Sequence, residues 1–181
     1  TNNPFVNTAN AFYGKYMHNR TDDGAKRTNE IIKKWFRNYK SDRPFFLFAN
    51  YMEPHADYER RGEHTEKFIK GEDLKQAEKI EQNHIKHMLS YDNIGEEGMG
   101  RLKSLYHGEL RYLDSKLEEL FNFLQDGGHL EDCLIIIVGD HGENIGEHDH
   151  LGHIFSLNEA VVHVPCMVKL PSGTTDTVSD I

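Results

Sequence analysis

The chain has 181 residues, of which 37% are hydrophobic, and this is enough for one domain with a buried core. Its aromatic content of 10% is higher than expected for a disordered chain. Its formal net charge of −9 disfavours a nucleic-acid partner, because phosphate backbones bind basic faces. The same charge gives no long-range attraction for an anionic substrate, so a local site would have to hold one.

The termini and the cysteines carry few signals. No apolar run approaches the ~20 residues of a membrane helix, and no signal peptide is visible. Because the first residue is Thr1 rather than Met, we expect the natural N-terminus to lie upstream. Cys133 and Cys166 lie at apolar runs without CxxC spacing, which predicts small buried hydrophobes rather than a zinc ribbon or a redox pair.

The first third of the chain predicts a loop, a helix and a strand. Residues 1–20 are polar and aromatic and indicate a loop. Asp22 or Asp23 is a candidate N-cap for a helix that runs to about Tyr39 with one apolar face. The apolar residues 45–51 follow a turn and predict a strand buried on both faces, as in parallel sheets.

Residues 59–100 differ from the rest, since they are charged and contain few large apolar side chains. A helix over about 72–90 is expected, and Gly95, Gly98 and Gly100 are expected to break the chain after it. The segment is therefore interpreted as an insertion on the surface rather than as part of the core.

The remaining chain alternates a long helix with two strands. Leucines and aromatics at helical spacing over 102–124 predict an amphipathic helix that Gly127 and Gly128 terminate. The runs 134–138 and 166–170 predict buried strands. This alternation predicts an α/β fold with a mostly parallel sheet flanked by helices.

Two polar residues follow predicted strands directly. His55 comes after the first strand and Asp140 after the second. Ligands collect beyond the carboxyl ends of the strands of parallel sheets, so both positions are candidates for a site.

The sequence Asp140-His141-Gly142-Glu143 leaves the second strand through a tight turn. A carboxylate and an imidazole that leave one turn can converge on a divalent ion, and these ligand types do not select one metal. The alternative is that Asp140 caps the turn and His141 lies on the surface.

The loop that follows is rich in groups able to bind metals or anions. Glu147, His148, Asp149, His150 and His153 all fall within it. One alternative is adventitious zinc binding by the histidines of this loop.

The segment 139–171 resembles the sulfatase family of the alkaline phosphatase superfamily. After its Asp-His-Gly-Glu, that family has a Gly-Glu-His, a Gly-His or Gly-Lys, an acidic residue and a Val-Pro, in that order. Each of these motifs occurs here in the same order, as Gly146-Glu147-His148, Gly152-His153, Glu159 and Val164-Pro165. Segment 43–58 looks like the Pro-Phe-Phe strand of the family, which ends in Pro-His, and segment 105–128 is similar to the helix before the Asp-His strand.

The resemblance implies an alkaline-phosphatase-like fold and a metal-dependent sulfuric ester hydrolase. Asp140 and His141 would be two ligands of a divalent metal, usually calcium in sulfatases, although a histidine ligand leaves magnesium, manganese or zinc open. His55 and His153 would contact the sulfate ester, and His153 would act as a general acid. The substrate expected is a sulfate ester.

Other polar residues of the loop have less specific roles. Glu143, Glu147, His148 and His150 either orient the metal ligands or face solvent. His163, which lies where many members of the family have arginine, is interpreted as structural.

The nucleophile motif of the family is missing. No Cys-x-Pro-x-Arg or Ser-x-Pro-x-Arg occurs in the 181 residues, and the paired aspartates that begin the family's domain are absent too. We therefore expect residues 1–181 to be a partial catalytic domain that lacks its N-terminal half.

Two other functions remain open at this point. A phosphoethanolamine transferase, or a phosphonate or phosphodiester hydrolase of the same superfamily, would share Asp-His-Gly-Glu and differ in the upstream nucleophile. A non-catalytic remnant that binds metal belongs to a different class, and an intact N-terminal half in the gene would exclude it.

We predict that the purified 181-residue chain does not hydrolyse a chromogenic aryl sulfate, because it contains no nucleophile motif. Release of nitrophenol from nitrophenyl sulfate, followed by absorbance, measures this directly. Turnover above the rate in buffer would contradict the prediction.

Overall fold

A computed structural model of the chain describes residues 24–41, 43–91 and 93–171. The loop predicted over 1–20 and the N-cap predicted at Asp22 or Asp23 lie outside the described residues. The elements are the helices α1 Ala25–Asn38, α2 Gly71–Ala77, α3 His84–Met88, α4 Gly95–Asp126 and α5 Glu159–Val162, the strands β1 Ile135–Val138, β2 Asn144–Ile145, β3 Leu151–Gly152 and β4 Cys166–Lys169, and the 3-10 helices Gly62–Lys67 and Glu147–Asp149.

Helix α4 is the longest element, with 32 residues and a length of roughly 48 Å at 1.5 Å per residue. It confirms the predicted amphipathic helix and ends at the predicted glycine pair, where Gly128 has φ 70°. The glycines at 95, 98 and 100 were expected to break the chain, but they lie inside the first turns of α4. Packing of the buried Met99 and Leu102 outweighs the low helix propensity of these glycines. Within the described part of the chain, no helix has both the length and the apolar character to span a bilayer.

The first half of α4 packs against the charged segment, which is not confined to the surface as predicted. Ile69, Leu74 and Ala77 are buried in the main core together with residues of α4 and of the β2–β3 hairpin. Only a few apolar side chains are needed to bury one face of a short segment, and among many charged residues they do not stand out in the sequence. The helix predicted over 72–90 is two short helices, α2 and α3.

The second half of α4 packs against α1, which confirms the helix predicted before Tyr39. Ile32 and Phe36 of α1 meet Leu120 and Leu124 of α4 in a second apolar cluster. The first backbone N–H of α1, at Ala25, donates to a carboxylate oxygen of the buried Glu53 at 3.0 Å. A carboxylate distant in sequence thus satisfies one of the unpaired donors of the helix terminus.

Strands β1 and β4 confirm the runs predicted at 134–138 and 166–170, but they pair antiparallel, with Ile135 opposite Lys169. The chain leaves β1 and returns to it at the same end, where the Gly139 N–H donates to the Pro165 carbonyl at 3.1 Å. The returning strand therefore runs in the opposite direction, and both sheets of the described residues are two-stranded and antiparallel. The predicted parallel sheet is not confirmed, and the full burial expected for these strands is wrong, since Val138 is 59% exposed.

Residues 45–51 do not form the predicted strand. In the described part of the chain they join no ladder, and Phe46 is 91% exposed. An apolar run becomes a strand only when a second strand completes its hydrogen bonds, and composition alone does not supply that partner. The run nevertheless leads to His55, as the sequence indicated.

We predict that Leu105→Ala on α4 lowers the free energy of unfolding by about 2–5 kcal/mol, because Leu105 is fully buried in the main core. Leu110→Ala on the same helix is the matched control, with an expected loss below about 1 kcal/mol, since Leu110 is partly exposed. Urea unfolding followed by circular dichroism measures both. Equal losses for the two variants would contradict the described packing of α4.

Candidate active site

The turn after β1 is held against α5 by close backbone contact. The Gly142 N–H donates to the Val161 carbonyl at 2.7 Å, and a Cβ at Gly142 would lie 2.1 Å from the Ala160 carbonyl oxygen. Only glycine fits at this distance. The contact fixes the direction in which Asp140 and His141 leave the strand.

The β2–β3 hairpin places two further groups opposite each other. Asn144 pairs with Gly152, so Glu143 and His153 flank the hairpin at facing positions. The buried side chains of Ile145 and Leu151 anchor the hairpin in the main core. As a result, His153 Nδ1 lies 2.7 Å from Glu143 Oε1.

Three imidazoles from separate segments meet at this point. The ring centroids of His141 and His153 are 3.9 Å apart, and those of His55 and His153 are 5.7 Å apart. The three residues lie after the 45–51 run, after β1 and after β3. The structure therefore brings together both predicted substrate histidines and one predicted metal ligand.

All three histidines engage an oxygen through Nδ1. His55 Nδ1 lies 2.6 Å from the Ala56 carbonyl oxygen, and His141 Nδ1 lies 3.0 Å from the Gly142 carbonyl oxygen. His153 Nδ1 faces the Glu143 carboxylate. Carbonyl and carboxylate oxygens only accept, so each Nδ1 carries the proton and each Nε2 remains available as a base or a metal ligand.

Asp140 lies beside this group on the solvent side. Its side chain is 86% exposed, and its Oδ1 accepts from the His141 N–H at 3.1 Å. The same oxygen lies 4.0 Å from His141 Nε2. A carboxylate oxygen and an unprotonated imidazole nitrogen at this separation fit a shared divalent ion with little movement.

A second set of ligand atoms also lies close together. Atoms of His141, Glu143 and His153 that can bind metal all fall within 4.8 Å of one another. The side chain of Glu143 is buried, and both of its oxygens already accept from protein groups, which directs the carboxylate toward the protein. The predicted pair Asp140 and His141 therefore presents the more accessible ligands.

The other loop residues lie away from the three imidazoles or face solvent. Glu147 accepts from Lys103 Nζ at 2.7 Å and from the Ile145 N–H at 2.6 Å. Partial burial raises the pKa of Glu147, but the bonds to Lys103 and Ile145 outweigh it and lower that pKa below its ordinary value. Glu147 is thus a structural group of the hairpin, while His148 and His163 are exposed and His150 is half-buried.

Tyr58 is a further residue of the site, and no sequence motif singles it out. Its buried hydroxyl donates to Glu143 Oε2 at 3.0 Å. Burial, and next the charge of Glu143, raises the pKa of Tyr58 far above its ordinary value, so the phenol stays protonated. The only signal for it is its position, three residues after His55 at the end of the Pro-Phe-Phe segment.

Comparison with known proteins identifies the family. The sulfatase family model matches residues 2–180, which is nearly the whole chain. The chain therefore belongs to the sulfatase family, and the resemblance found in the sequence is confirmed.

Individual relatives are distant and longer than this chain. A multifunctional alkaline phosphatase superfamily protein, PehA, of Trinickia caryophylli is 27% identical over 152 residues, covering 72% of this chain and 29% of that protein. A choline-sulfatase of Rhizobium meliloti (strain 1021) is 29% identical over 144 residues, covering 73% of this chain and 28% of that protein. This chain thus spans less than a third of the length of these relatives.

A solved structure shares the fold. The phosphonate monoester hydrolase of Agrobacterium radiobacter superposes with a TM-score of 0.66 and 18% sequence identity, over 85% of this chain and 34% of that chain. The described residues therefore have an alkaline-phosphatase-like α/β architecture, although the strands paired here are antiparallel.

Proposed function

We propose that this chain forms the metal-binding and leaving-group side of the active site of a sulfuric ester hydrolase. The observation that carries the proposal is the convergence of His55, His141 and His153, each with Nδ1 engaged and Nε2 available. Membership of the sulfatase family supports it. The nucleophile would come from sequence outside these 181 residues.

His153 is suited to protonate the leaving oxygen of the ester. Glu143 holds the ring through Nδ1, so the transferable proton resides on Nε2, on the opposite side of the ring. Departure of an alkoxide is difficult at neutral pH, and a general acid in hydrogen-bond reach neutralises it as the bond to sulfur breaks. Transfer of the Nε2 proton leaves a neutral ring, which keeps its Nδ1–H toward the Glu143 carboxylate.

His55 would contribute to binding of the sulfuryl oxygens. Its ring is fixed by the bond from Nδ1 to the Ala56 carbonyl, which leaves Nε2–H of the protonated ring as a donor toward the anion. A divalent cation held by Asp140 and His141 would stabilise the charge on the same oxygens. Calcium, magnesium, manganese and zinc are all compatible with this pair of ligands, and we propose calcium first, as in sulfatases generally.

A phosphonate or phosphodiester hydrolase is the second candidate. The family relative named as multifunctional and the fold shared with a phosphonate monoester hydrolase favour it. Sulfate esters, phosphonate monoesters and phosphodiesters each present one negative charge around a tetrahedral centre, so the same imidazoles suit all three. Activity of the full-length protein toward nitrophenyl sulfate, nitrophenyl phenylphosphonate and bis(nitrophenyl) phosphate ranks these substrates.

We predict that the 181-residue chain binds divalent metal weakly and that Asp140→Ala removes the heat of binding. The reason is that Asp140 supplies the accessible carboxylate beside His141. Isothermal titration with calcium and with manganese measures this. Asp149→Asn is the matched control, since Asp149 is an exposed carboxylate of the same loop and asparagine tolerates its φ of 57°.

Tight binding that survives Asp140→Ala would contradict the assignment. Loss of that binding in His150→Ala would then locate the ion in the histidine-rich loop.

We predict that His153→Ala in the full-length protein slows hydrolysis of alkyl sulfates by roughly 10²–10⁴-fold and affects nitrophenyl sulfate much less. Nitrophenolate leaves without a proton, whereas an alkoxide requires one. Steady-state rates over a series of leaving groups measure the difference. His148→Asn is the control, because His148 is exposed at φ 54°, a conformation that asparagine tolerates. Equal loss for both substrate types would remove His153 from the role of general acid.

A further inference from the structure

We infer that Glu143 is a positioning residue that sets the tautomer of His153. Tyr58 acts with it, because its hydroxyl donates to the second oxygen of the Glu143 carboxylate. The inference deepens the proposed function and rests on it for its catalytic meaning. The hydrogen-bond network itself can be tested without substrate or metal.

The Glu143 carboxylate is shared between two donors. Its side chain is only 3% exposed, with Oε1 2.7 Å from His153 Nδ1 and Oε2 3.0 Å from the Tyr58 hydroxyl. An ionised carboxylate only accepts, so both neighbours must donate to it. His153 therefore carries its proton on Nδ1, and Nε2 is directed away from Glu143.

Tyr58 is itself held in place from several sides. Its backbone N–H donates to Gln82 Oε1 at 2.7 Å, and Gln82 Nε2 donates back to the Tyr58 carbonyl at 2.9 Å. Its ring packs edge-on against Tyr106, with centroids 5.4 Å apart. The hydroxyl thus has little freedom to turn away from Glu143.

This network connects the charged segment 59–100 with the proposed active site. Gln82 lies in that segment and clamps Tyr58, Tyr58 directs Glu143, and Glu143 orients His153. The segment therefore has a role beyond completing the core. Through Tyr58 and Glu143 it supports the orientation of the His153 ring.

Replacing the carboxylate by an amide should reverse the tautomer. In Glu143→Gln the Tyr58 hydroxyl donates to the single amide oxygen, which turns the NH₂ group toward His153 Nδ1. His153 then accepts at Nδ1 and carries its proton on Nε2 instead. Glutamine has nearly the shape of glutamate, so the substitution changes the direction of the hydrogen bonds more than the packing.

Removing the tyrosine hydroxyl should undo this reversal. In the double variant Tyr58→Phe with Glu143→Gln, the amide is free to turn its oxygen toward His153. The Nδ1–H tautomer is then restored. A purely structural role for Glu143 would give no such rescue, because removal of the hydroxyl would then not change the direction of a hydrogen bond at His153.

The test is ¹⁵N NMR of the imidazoles in the 181-residue chain, labelled at histidine and measured without metal at an alkaline pH where the rings are neutral. We expect His153 as the Nδ1–H tautomer in the unsubstituted chain, as Nε2–H in Glu143→Gln, and again as Nδ1–H in the double variant. Glu147→Gln is the control, since Glu147 bonds Lys103 and Ile145 and should leave His153 unchanged. An unchanged circular dichroism spectrum shows that each variant is folded.

Persistence of the Nδ1–H tautomer in Glu143→Gln would overturn the inference, as would a double variant that behaves like the single one. Loss of calcium or manganese binding in Glu143→Gln, with the tautomer unchanged, would instead make Glu143 a metal ligand. Failure of the sulfatase proposal would appear separately, as absence of turnover by the full-length protein while these tautomers are as expected.

Discussion

The register of the β2–β3 hairpin is the constraint on which the proposed site depends. Ile145 and Leu151 point into the main core and face each other across the hairpin, so the flanking Glu143 and His153 also face each other. Side chains alternate between the two faces of a strand, so a slip by one residue would send Glu143 to the opposite face. Burial of two apolar side chains thus fixes the contact between a carboxylate and an imidazole.

Helix α4 is the support against which this hairpin is held. Its first half carries the main core, and its Lys103 reaches the Glu147 carboxylate within the hairpin. The same helix bears Glu109, whose buried carboxylate lies 3.1 Å from the Arg61 guanidinium. Removal of one partner of such a buried ion pair strongly destabilises a protein, so this contact stabilises the packing of the charged segment on α4.

The sequence was most informative where a local pattern determines the structure. The apolar spacing of α1 and α4 and the β-branched run of β1 predicted those elements, and the order of Asp140, His141 and His153 pointed to residues that do come together.

Partners distant in sequence could not be inferred in the same way. The antiparallel return of β4, the unpaired run at 45–51 and the burial of Ile69 all depend on which segments meet, and this does not show in local periodicity. Tyr58 could not be identified from the sequence, because its role depends on Glu143, which is distant in sequence and joins it to His153.

The proposed function requires that Asp140 and His141 bind a divalent ion beside the imidazoles of His55 and His153. Anomalous diffraction from manganese-soaked crystals of the chain tests it most directly. We expect a manganese peak bound by the Asp140 carboxylate and His141 Nε2. A peak on His148 or His150, with none at Asp140, would contradict it.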